Sequence, residues 1–381
     1  MKLTQDEKEI LNGRHGEDKK MLLNALVDYA EFIDAKNLVD VNAGKCQLTI
    51  SLNNSTCEIL KEYQSLQKIT KLEFPDEKVK KQNSELVEKF NSLCYCKSLP
   101  KYGEVFCWSD SFQITYANSV LGARGNETPS LITMISSLIG KTPYFGLLKD
   151  ENRVAGIVFK LDVKKDVNPQ LLGKTIAKKC MGKIPYIFGL EKILKDDDFS
   201  KSFLKDFCAG FSSSTKLRLF HINNITAEAK KLKKQIIKNN AKTIEIDDDE
   251  LERVKKDSEN QVKKQKICIF GCPHLSLYQL VNITNEIGWE LRQNKRKKLK
   301  MKTYFMIEKS VLEKFKNLPE FKELKQYGGI ISCECPLNLF KNKKNLITSS
   351  IKLSKCLKAK FFEEDELILL LCQRWKNGKS I

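Results

Sequence analysis

The six residues 271–276 contain a thiol and an imidazole, side chains that can bind a metal or take part in catalysis. The apolar residues 266–270 before them predict a short buried strand, and the apolar spacing of residues 275–287 predicts a helix. Cys272 would then lie at the carboxyl edge of a sheet and near a helix N-terminus, where the helix dipole favours a thiolate. Active sites of open α/β sheets form at that edge. The sequence therefore predicts a functional Cys272, with a small buried cysteine in a tight turn as the alternative.

A second segment, residues 100–126, collects Gly, Ser, Asn and Arg around a short helix predicted at about 111–121. Small residues let a ligand approach the backbone, and the Arg124 guanidinium can bind a carboxylate or phosphate through two parallel hydrogen bonds. Glu104 lies in the loop before this helix and is either an acid–base group or a loop charge. The segment therefore predicts a second group of functional side chains.

The composition is that of a globular protein. The 381 residues are 41% hydrophobic and 30% charged, values that exclude a disordered chain. This length suits one large α/β catalytic unit, with subdomains predicted at about 1–150, 151–265 and 266–381. The first residues do not form a signal peptide, and the apolar run 367–372 is too short to span a bilayer. We expect a soluble, cytoplasmic protein.

The cysteines indicate a reducing environment. There are 13 of them, an odd number, and no secretory signal accompanies them. Two pairs are spaced by one residue, Cys94 with Cys96 and Cys333 with Cys335. Because paired C-x-x-C motifs are absent from the sequence, a structural zinc site is disfavoured.

The formal net charge of +19 comes largely from two lysine-rich runs, residues 230–242 and 292–300. Such runs can attract nucleic acid or an anionic substrate. Neither run contains interleaved aromatic residues that would stack on bases, so a solvated surface is the favoured interpretation.

Strand and helix patterns alternate along the chain, which predicts βαβ units and an α/β fold with parallel sheets. The predicted helices are 5–12, 17–35, 55–67, 79–93, 111–121, 129–139, 168–180, 199–211, 226–239, 248–257, 275–287, 309–326, 350–358 and 363–373. The predicted strands are near 38–41, 47–52, 68–73, 153–162, 184–188, 216–222, 242–246, 266–270, 302–308 and 328–333.

Several motifs occur along the chain in an order that is typical of one known family. They are Ala-Asn-Ser-Val-Leu-Gly-Ala-Arg at 117–124, Gly-Lys-Thr-Pro-Tyr-Phe-Gly at 140–146, Lys-Ile-Pro-Tyr-Ile at 183–187, His-Ile-Asn-Asn-Ile-Thr-Ala-Glu-Ala at 221–229 and Gly-Cys-Pro at 271–273. With these motifs the chain resembles the catalytic subunit of the aconitase X family over most of its length. The resemblance implies an aconitase-like, multi-layer αβα catalytic unit with parallel sheets that lacks the swivelling domain.

The resemblance also implies a [4Fe-4S] cluster held by three thiolates. Its ligands would be Cys272, Cys335 and either Cys94 or Cys96, since both members of the first pair fit the shortened loop. A cluster held at three corners leaves one iron free to act as a Lewis acid on a leaving hydroxyl.

The implied reaction is dehydration of (R)-5-phosphomevalonate to trans-anhydromevalonate 5-phosphate, a step of isoprenoid synthesis by the mevalonate pathway. The base would be Ser119 or Ser350, activated by a nearby cation such as Arg124 or Lys352, with Glu104 as a further acid–base candidate. His274 would be a proton carrier next to the site. The expected substrate-binding residues are Gln47, Leu48, Phe74, Pro75, Asn118, Arg124 and Asn126.

The chain departs from the family pattern at residues 42–48, 73–75 and 125–127, mostly on the substrate side. Two alternatives therefore stay open, a hydroxyproline-type dehydratase and a catalytically relaxed binding or scaffold protein with a basic surface. The residues after 352 are too few for a swivelling domain. The resemblance thus implies a separate small subunit and a heterodimer.

Overall fold

The computed structural model describes residues 1–41, 49–51, 71–73, 99–108, 110–163, 167–256 and 266–373. Its helices are α1 (Gln5–Leu11), α2 (Glu17–Phe32), α3 (Ser111–Ser119), α4 (Ser130–Ile139), α5 (Pro169–Lys179), α6 (Asp198–Ser214), α7 (Ala227–Leu232), α8 (Asp248–Lys256), α9 (Leu277–Gln293), α10 (Lys309–Phe315), α11 (Pro319–Gln326), α12 (Pro336–Leu339), α13 (Ile351–Leu357) and α14 (Glu364–Cys372). Its strands are β1 (Leu38–Asp40), β2 (Thr49–Ser51), β3 (Lys71–Glu73), β4 (Lys141–Pro143), β5 (Ala155–Asp162), β6 (Pro185–Phe188), β7 (His221–Ile222), β8 (Ile237–Asp247), β9 (Ile267–Leu275), β10 (Lys302–Ile307), β11 (Gly329–Ser332), β12 (Leu346–Thr348) and β13 (Lys360–Phe361).

The chain forms two compact units, and each is built from separate stretches of sequence. Unit 1 contains Met1–Phe159, Gly182–Glu191 and Lys216–Ile244. Unit 2 contains Lys160–Met181, Lys192–Thr215 and Glu245–Ile381. The three subdomains expected from the sequence stay a prediction.

Unit 1 combines a helical core with a four-stranded sheet. Helices α1, α2 and α4 bury an apolar cluster that includes Leu23, Leu26 and Met134. Helix α1 begins where the sequence predicts, because Thr4 and Glu7 form a capping box that satisfies two free N–H groups. The strand order of the sheet is β7-β6-β5-β8, and β1 pairs with β4 in an antiparallel ribbon.

Unit 2 is organised around a five-stranded sheet in the order β11-β10-β9-β12-β13. Every neighbouring pair in this sheet is parallel, as the sequence predicts. Strand β9 is almost continuously apolar, and Cys268, Ile269 and Phe270 are fully buried. This is the pattern of a parallel strand that is covered on both faces.

Two glycines allow helices α5 and α6 of unit 2 to pack closely. A Cβ atom on Gly210 would lie 2.0 Å from the carbonyl oxygen of Gln170. A Cβ atom on Gly173 would lie 2.4 Å from the carbonyl oxygen of Phe207. Any larger residue would push the two helices apart, so these glycines fix the backbone at the start of α5.

Several sequence-based predictions differ from the structure, and strands β4, β12 and β13 have no counterpart among the predicted strands. The helix predicted at 226–239 ends at Leu232, because Lys233 adopts a left-handed conformation with φ +51° and the chain then enters β8. The strand predicted at 216–222 is limited to β7. The strand predicted at 266–270 continues to Leu275, so Cys272 belongs to the irregular end of β9 and not to the first turn of the next helix. The predicted helices 55–67 and 79–93 lie outside the described residues.

Each cysteine within the described ranges is a free thiol. None of the helices described for this chain is both long and apolar enough to cross a membrane.

Candidate active site

The candidate site of unit 2 lies at the carboxyl edge of its sheet. The strand order turns at β9, because β10 and β11 follow on one side of it and β12 and β13 on the other. Ligands of open α/β sheets bind at such a switch point, outside the carboxyl ends of the strands. Cys272 lies at the end of β9, and Ser350 comes just after β12. The topology thus brings two predicted site residues to the switch point.

Cys272 lies in a bulge of β9. Pairing with β10 passes from Phe270 to Leu275 with a shift of register, and pairing with β12 ends at Ile269. Gly271 begins the bulge with φ +95°, and a Cβ atom there would lie 2.6 Å from a β10 carbonyl oxygen, so glycine is required. The peptide bond between Cys272 and Pro273 is cis. Because of the bulge, Cys272 is not paired in the ladder and lies at the edge of the sheet.

Cys335 lies on a neighbouring loop. It caps the short helix α12 just after β11, and β11 and β9 both pair with β10. The ring Nε2 of His274 lies 3.0 Å from the carbonyl oxygen of Glu334, which links the two cysteine loops. His274 thus contacts the backbone beside a predicted ligand.

Two thiols on adjacent loops are a donor set that fits an iron–sulfur cluster. The third predicted ligand, Cys94 or Cys96, falls outside the described residues, as do Gln47, Leu48, Phe74 and Pro75. Within the part of the chain that the structure describes, there is no group of three or more His, Cys, Asp or Glu side chains placed to hold a metal. The cluster assignment therefore depends on a cysteine from the loop before Pro100.

Ser350 is tied to the Cys272 loop. Its hydroxyl donates to the carbonyl oxygen of Cys272 at 2.6 Å, and its Oγ accepts the N–H of Leu353 at 3.3 Å. Lys352 lies in the first turn of α13 and is partly exposed. The structure thus brings Ser350 and Cys272 together, while their catalytic roles stay predictions.

The predicted asparagines of unit 1 are bonded to its backbone. Asn118 donates to the carbonyl oxygen of Gly125 at 2.8 Å and accepts its N–H at 2.9 Å. Asn126 donates to the carbonyl oxygen of Phe145 at 2.8 Å and accepts the N–H of Leu147 at 2.8 Å. Both amides therefore shape the loops around Arg124 in addition to any contact with substrate.

Arg124 is partly exposed and faces two carboxylates. It forms an ion pair with Asp150, and its Nη2 lies 3.8 Å from Glu228 Oε1. The Asp150 side chain is 86% exposed. A surface carboxylate of this kind contributes little binding energy, so the carboxylate or phosphate of a ligand can replace it.

Ser119 and Glu104 lie on elements of the same unit. The Oγ of Ser119 accepts the N–H of Phe220 at 3.0 Å, and the residue is buried. Glu104 accepts the N–H of Lys101 at 2.6 Å. A parallel bridge between residues 105 and 124 holds the Glu104 and Arg124 segments side by side.

A buried charge cluster in unit 1 was not predicted from the sequence. Arg153 donates to Glu228 at 2.7 Å, and both side chains are almost completely buried. The remaining guanidinium N–H groups bond to the carbonyl oxygens of Asn118, Ala123 and Leu147. Burial lowers the pKa of Arg153 and lowers that of His221 to about 4, so His221 is neutral at physiological pH. This charge cluster holds the end of α3, which carries Asn118, and the loop that carries Arg124.

A cavity of about 780 Å³ lies beside the Cys272 loop in unit 2 and is touched by Gly271, Pro273 and Ser350. Eight carboxylate side chains line it, and Lys255 is the one cationic side chain among its described lining residues. These carboxylates belong to Asp206, Asp248, Asp249, Glu252, Glu286, Glu363, Glu364 and Asp365. In a chain of net charge +19, this cavity is a local region of negative charge, which favours cations and disfavours phosphate.

The charge of Glu364 in this cavity, and with it the stability of the fold, depends on pH. Burial raises its pKa to about 8, and the neighbouring carboxylates Asp206, Glu286, Asp365 and Glu363 add repulsion in that order. Between about pH 4.5 and pH 8 the folded state holds a proton that the unfolded state has released, so stability falls as the pH rises through this window.

Replacing Glu364 by Gln is therefore expected to stabilise the protein at alkaline pH by about 1–2 kcal/mol and to flatten the pH dependence of unfolding. Urea unfolding at about pH 5.5 and about pH 8.5 measures this difference. The control is Glu313→Gln, which removes an exposed carboxylate outside the cavity. An equal pH dependence in wild type and Glu364→Gln would contradict the assignment.

Three further residues of unit 2, Gln170, Asp206 and Gln279, were missed. They form a hydrogen-bonded chain next to Cys272, from Cys272 O through Gln170 and Asp206 to Gln279. A signal for one of them was present in the sequence, since Ser276 and Gln279 have the spacing of a capping box and form one. The partners of Gln170 and Asp206 are distant in sequence, so no local pattern identifies them.

The chain matches two family models. Residues 74–151 match the aconitase X first domain, and residues 155–256 match the aconitase X second domain. The phosphomevalonate dehydratase large subunit of Methanocaldococcus jannaschii is 28% identical over 78% of this chain and 79% of its own length. The cis-3-hydroxy-L-proline dehydratase of Hypocrea jecorina is 32% identical over 48% of this chain and 31% of its own length.

The fold is also similar to a solved structure. The crystal structure of Thermococcus kodakaraensis aconitase X in its holo-form has a TM-score of 0.80, covering 97% of this chain and 100% of that chain at 23% identity. The dehydratase relatives support the predicted assignment to the lyases. The two family models and the dehydratase relatives support the aconitase X family, which confirms the resemblance seen in the sequence.

Proposed function

We propose that the chain is the large subunit of an iron–sulfur hydro-lyase that converts (R)-5-phosphomevalonate to trans-anhydromevalonate 5-phosphate. The observation that carries this proposal is the similarity to the M. jannaschii large subunit over most of both chains. The neighbouring loops of Cys272 and Cys335 support the cluster. The pathway would be isoprenoid synthesis from mevalonate, in the cytoplasm.

The cluster would be held by Cys272, Cys335 and one of Cys94 and Cys96. When bound, it supplies a Lewis acid for the leaving hydroxyl. The hydrogen bonds to the Cys272 carbonyl keep this loop in place at the edge of the sheet. The chain itself must bind the anionic ends of the substrate and remove a proton.

Ser119 suits the role of base better than Ser350. The Oγ atoms of both serines accept a backbone N–H, a bond that stabilises a deprotonated oxygen, so the difference between them lies in the hydroxyl proton. The hydroxyl of Ser350 is already directed to the Cys272 carbonyl. Arg124 would exchange the exposed Asp150 for the anionic end of the substrate. The role expected for Lys352 toward that anionic end stays a prediction.

A separate small subunit would complete the enzyme. The M. jannaschii relative is named a large subunit, which implies a smaller partner in that enzyme. A swivelling domain contributed by such a partner would exclude water from the substrate during reaction. The lysine-rich surface of this chain would attract an acidic partner at long range.

A hydroxyproline-type dehydratase is the second candidate, and one observation favours it. The cavity beside Cys272 is lined by carboxylates, which attract the ammonium group of an amino acid and repel a phosphate. The H. jecorina relative supports the same alternative over about half of the chain.

The test is an anaerobic assay of water elimination from (R)-5-phosphomevalonate and from cis-3-hydroxy-L-proline. We expect turnover of the phosphorylated substrate by the chain with its small subunit, and almost none by the chain alone. Turnover of hydroxyproline alone would favour the second candidate. Full activity of the isolated chain would contradict the need for a partner, and inactivity on both substrates with a bound cluster would indicate a catalytically relaxed protein.

A further inference from the structure

We infer that Gln170 is the positioning residue that holds the Cys272 loop in the geometry needed to bind the cluster. This inference rests on the proposed function, since it assigns a role toward the same cluster. Gln170 lies in the first turn of α5, and its side chain is almost completely buried. It lies outside the set of site residues expected from the family resemblance.

Three hydrogen bonds hold the side-chain amide of Gln170. Its Oε1 accepts the N–H of Ile351 at 2.9 Å and lies 3.3 Å from the hydroxyl of Ser350, whose proton goes to the carbonyl oxygen of Cys272. Its Nε2 donates to the carbonyl oxygen of Cys272 at 3.2 Å and to Asp206 Oδ1 at 3.3 Å. A backbone N–H can only donate and a backbone carbonyl can only accept, so these partners fix which end of the amide is which.

The Cys272 loop needs such support because the sheet does not hold it. The ladders of β9 with β10 and with β12 both stop before Gly271, and pairing with β10 resumes at Leu275. The carbonyl oxygen of Cys272 instead receives two side-chain donors, Gln170 Nε2 and Ser350 Oγ. These two bonds fill both acceptor positions of that carbonyl and fix the residue that carries the thiol.

Gln170 can hold the loop because its own position is fixed. The close packing at Gly173 and Gly210 locks the backbone of α5 against α6. Asp206 on α6 accepts from Gln170 and also from Gln279 of α9 at 2.5 Å. The amide therefore joins the loop to three helices around the switch point. Groups that orient metal ligands in this way commonly change metal affinity by about 10- to 100-fold when they are removed.

The test is Gln170→Met, which keeps the length of the side chain and removes its hydrogen bonds. We expect the anaerobically reconstituted variant to retain iron about 10- to 100-fold less tightly than wild type in a chelator competition. In the metal-free protein, iodoacetamide should alkylate Cys272 faster than in wild type, as measured by peptide mass spectrometry. The matched control is Gln113→Met in unit 1, a buried glutamine whose Nε2 lacks a partner within the described residues.

Unchanged iron retention and an unchanged alkylation rate in a folded Gln170→Met protein would overturn the inference. If that variant does not fold, Gln170→Glu replaces it, since it keeps the acceptor for Ile351 and loses the donors to Cys272 and Asp206. The same losses are then expected, and their absence overturns the inference equally. A wild-type protein that binds no cluster would instead overturn the iron–sulfur part of the proposed function, and the alkylation rates would still decide whether Gln170 holds the loop.

Discussion

Replacing Cys272 with serine is expected to abolish both cluster binding and dehydratase activity. A serine hydroxyl keeps the size of the side chain but does not replace a thiolate as a ligand of iron. The loop itself should persist, because the bonds to the Cys272 carbonyl come from Gln170 and Ser350 and do not involve the thiol. Iron and sulfide content, visible absorption and turnover of the anaerobically purified protein measure the effect.

The same measurements distinguish the cysteines that are cluster ligands from those that are not. Cys335→Ser and the double replacement of Cys94 and Cys96 by serine should behave like Cys272→Ser, and the single replacements identify which of Cys94 and Cys96 is the ligand. Cys356→Ser is the control, because Cys356 is an exposed thiol outside the implied ligand set. Wild-type iron content in Cys272→Ser would remove this residue from the ligands.

Replacing Arg153 with methionine is expected to destabilise the protein by about 3–5 kcal/mol. The variant leaves Glu228 buried without its cation and removes the donors to three backbone carbonyl oxygens. The loss of stability is large because Arg153 and Glu228 are both buried, and a buried charge without a partner is unfavourable. Urea unfolding with wild-type and variant protein measures the difference in free energy.

The control for this prediction is Arg14→Met in the same unit. Arg14 forms an ion pair with Glu9 at 3.3 Å, but its side chain is 67% exposed, so the expected loss is below about 1 kcal/mol. The double variant Arg153→Met with Glu228→Gln should recover part of the stability by removing the buried charge. Equal losses for Arg153→Met and Arg14→Met would contradict the role of burial.

The elements that local signals define could be predicted from the sequence. The capping box of Thr4 and Glu7 marks the start of α1, and the apolar, β-branched run before Gly271 marks β9. These features depend on residues that are close in sequence, so their physical cause is present in a short segment. The resemblance to the family then implies that Cys272 and Cys335 are ligands of one cluster.

Features that depend on distant contacts could not be predicted. The sequence predicts a strand near 242–246 but a helix in the lysine-rich segment before it; β8 instead starts at Ile237, because this segment joins the sheet beside β5. The bulge of β9 depends on β10, and the bonds of Gln170 reach residues 206, 272 and 351. Such contacts leave no periodic trace in the sequence, and only the folded chain reveals them.

The interleaving of the two units limits how this protein can be divided and made. The chain passes from one unit to the other at residues 159–160, 181–182, 191–192, 215–216 and 244–245. No single cut therefore yields one unit as a continuous fragment, and a truncated gene encodes an incomplete version of at least one of them. During synthesis, unit 1 lacks β8 until the ribosome has passed residue 247. The sheet of unit 2 lacks β12 until residue 348 has left the exit tunnel, and it lacks β13 until residue 361 has done so. Most of the folding of unit 2 must consequently follow translation of the last part of the chain.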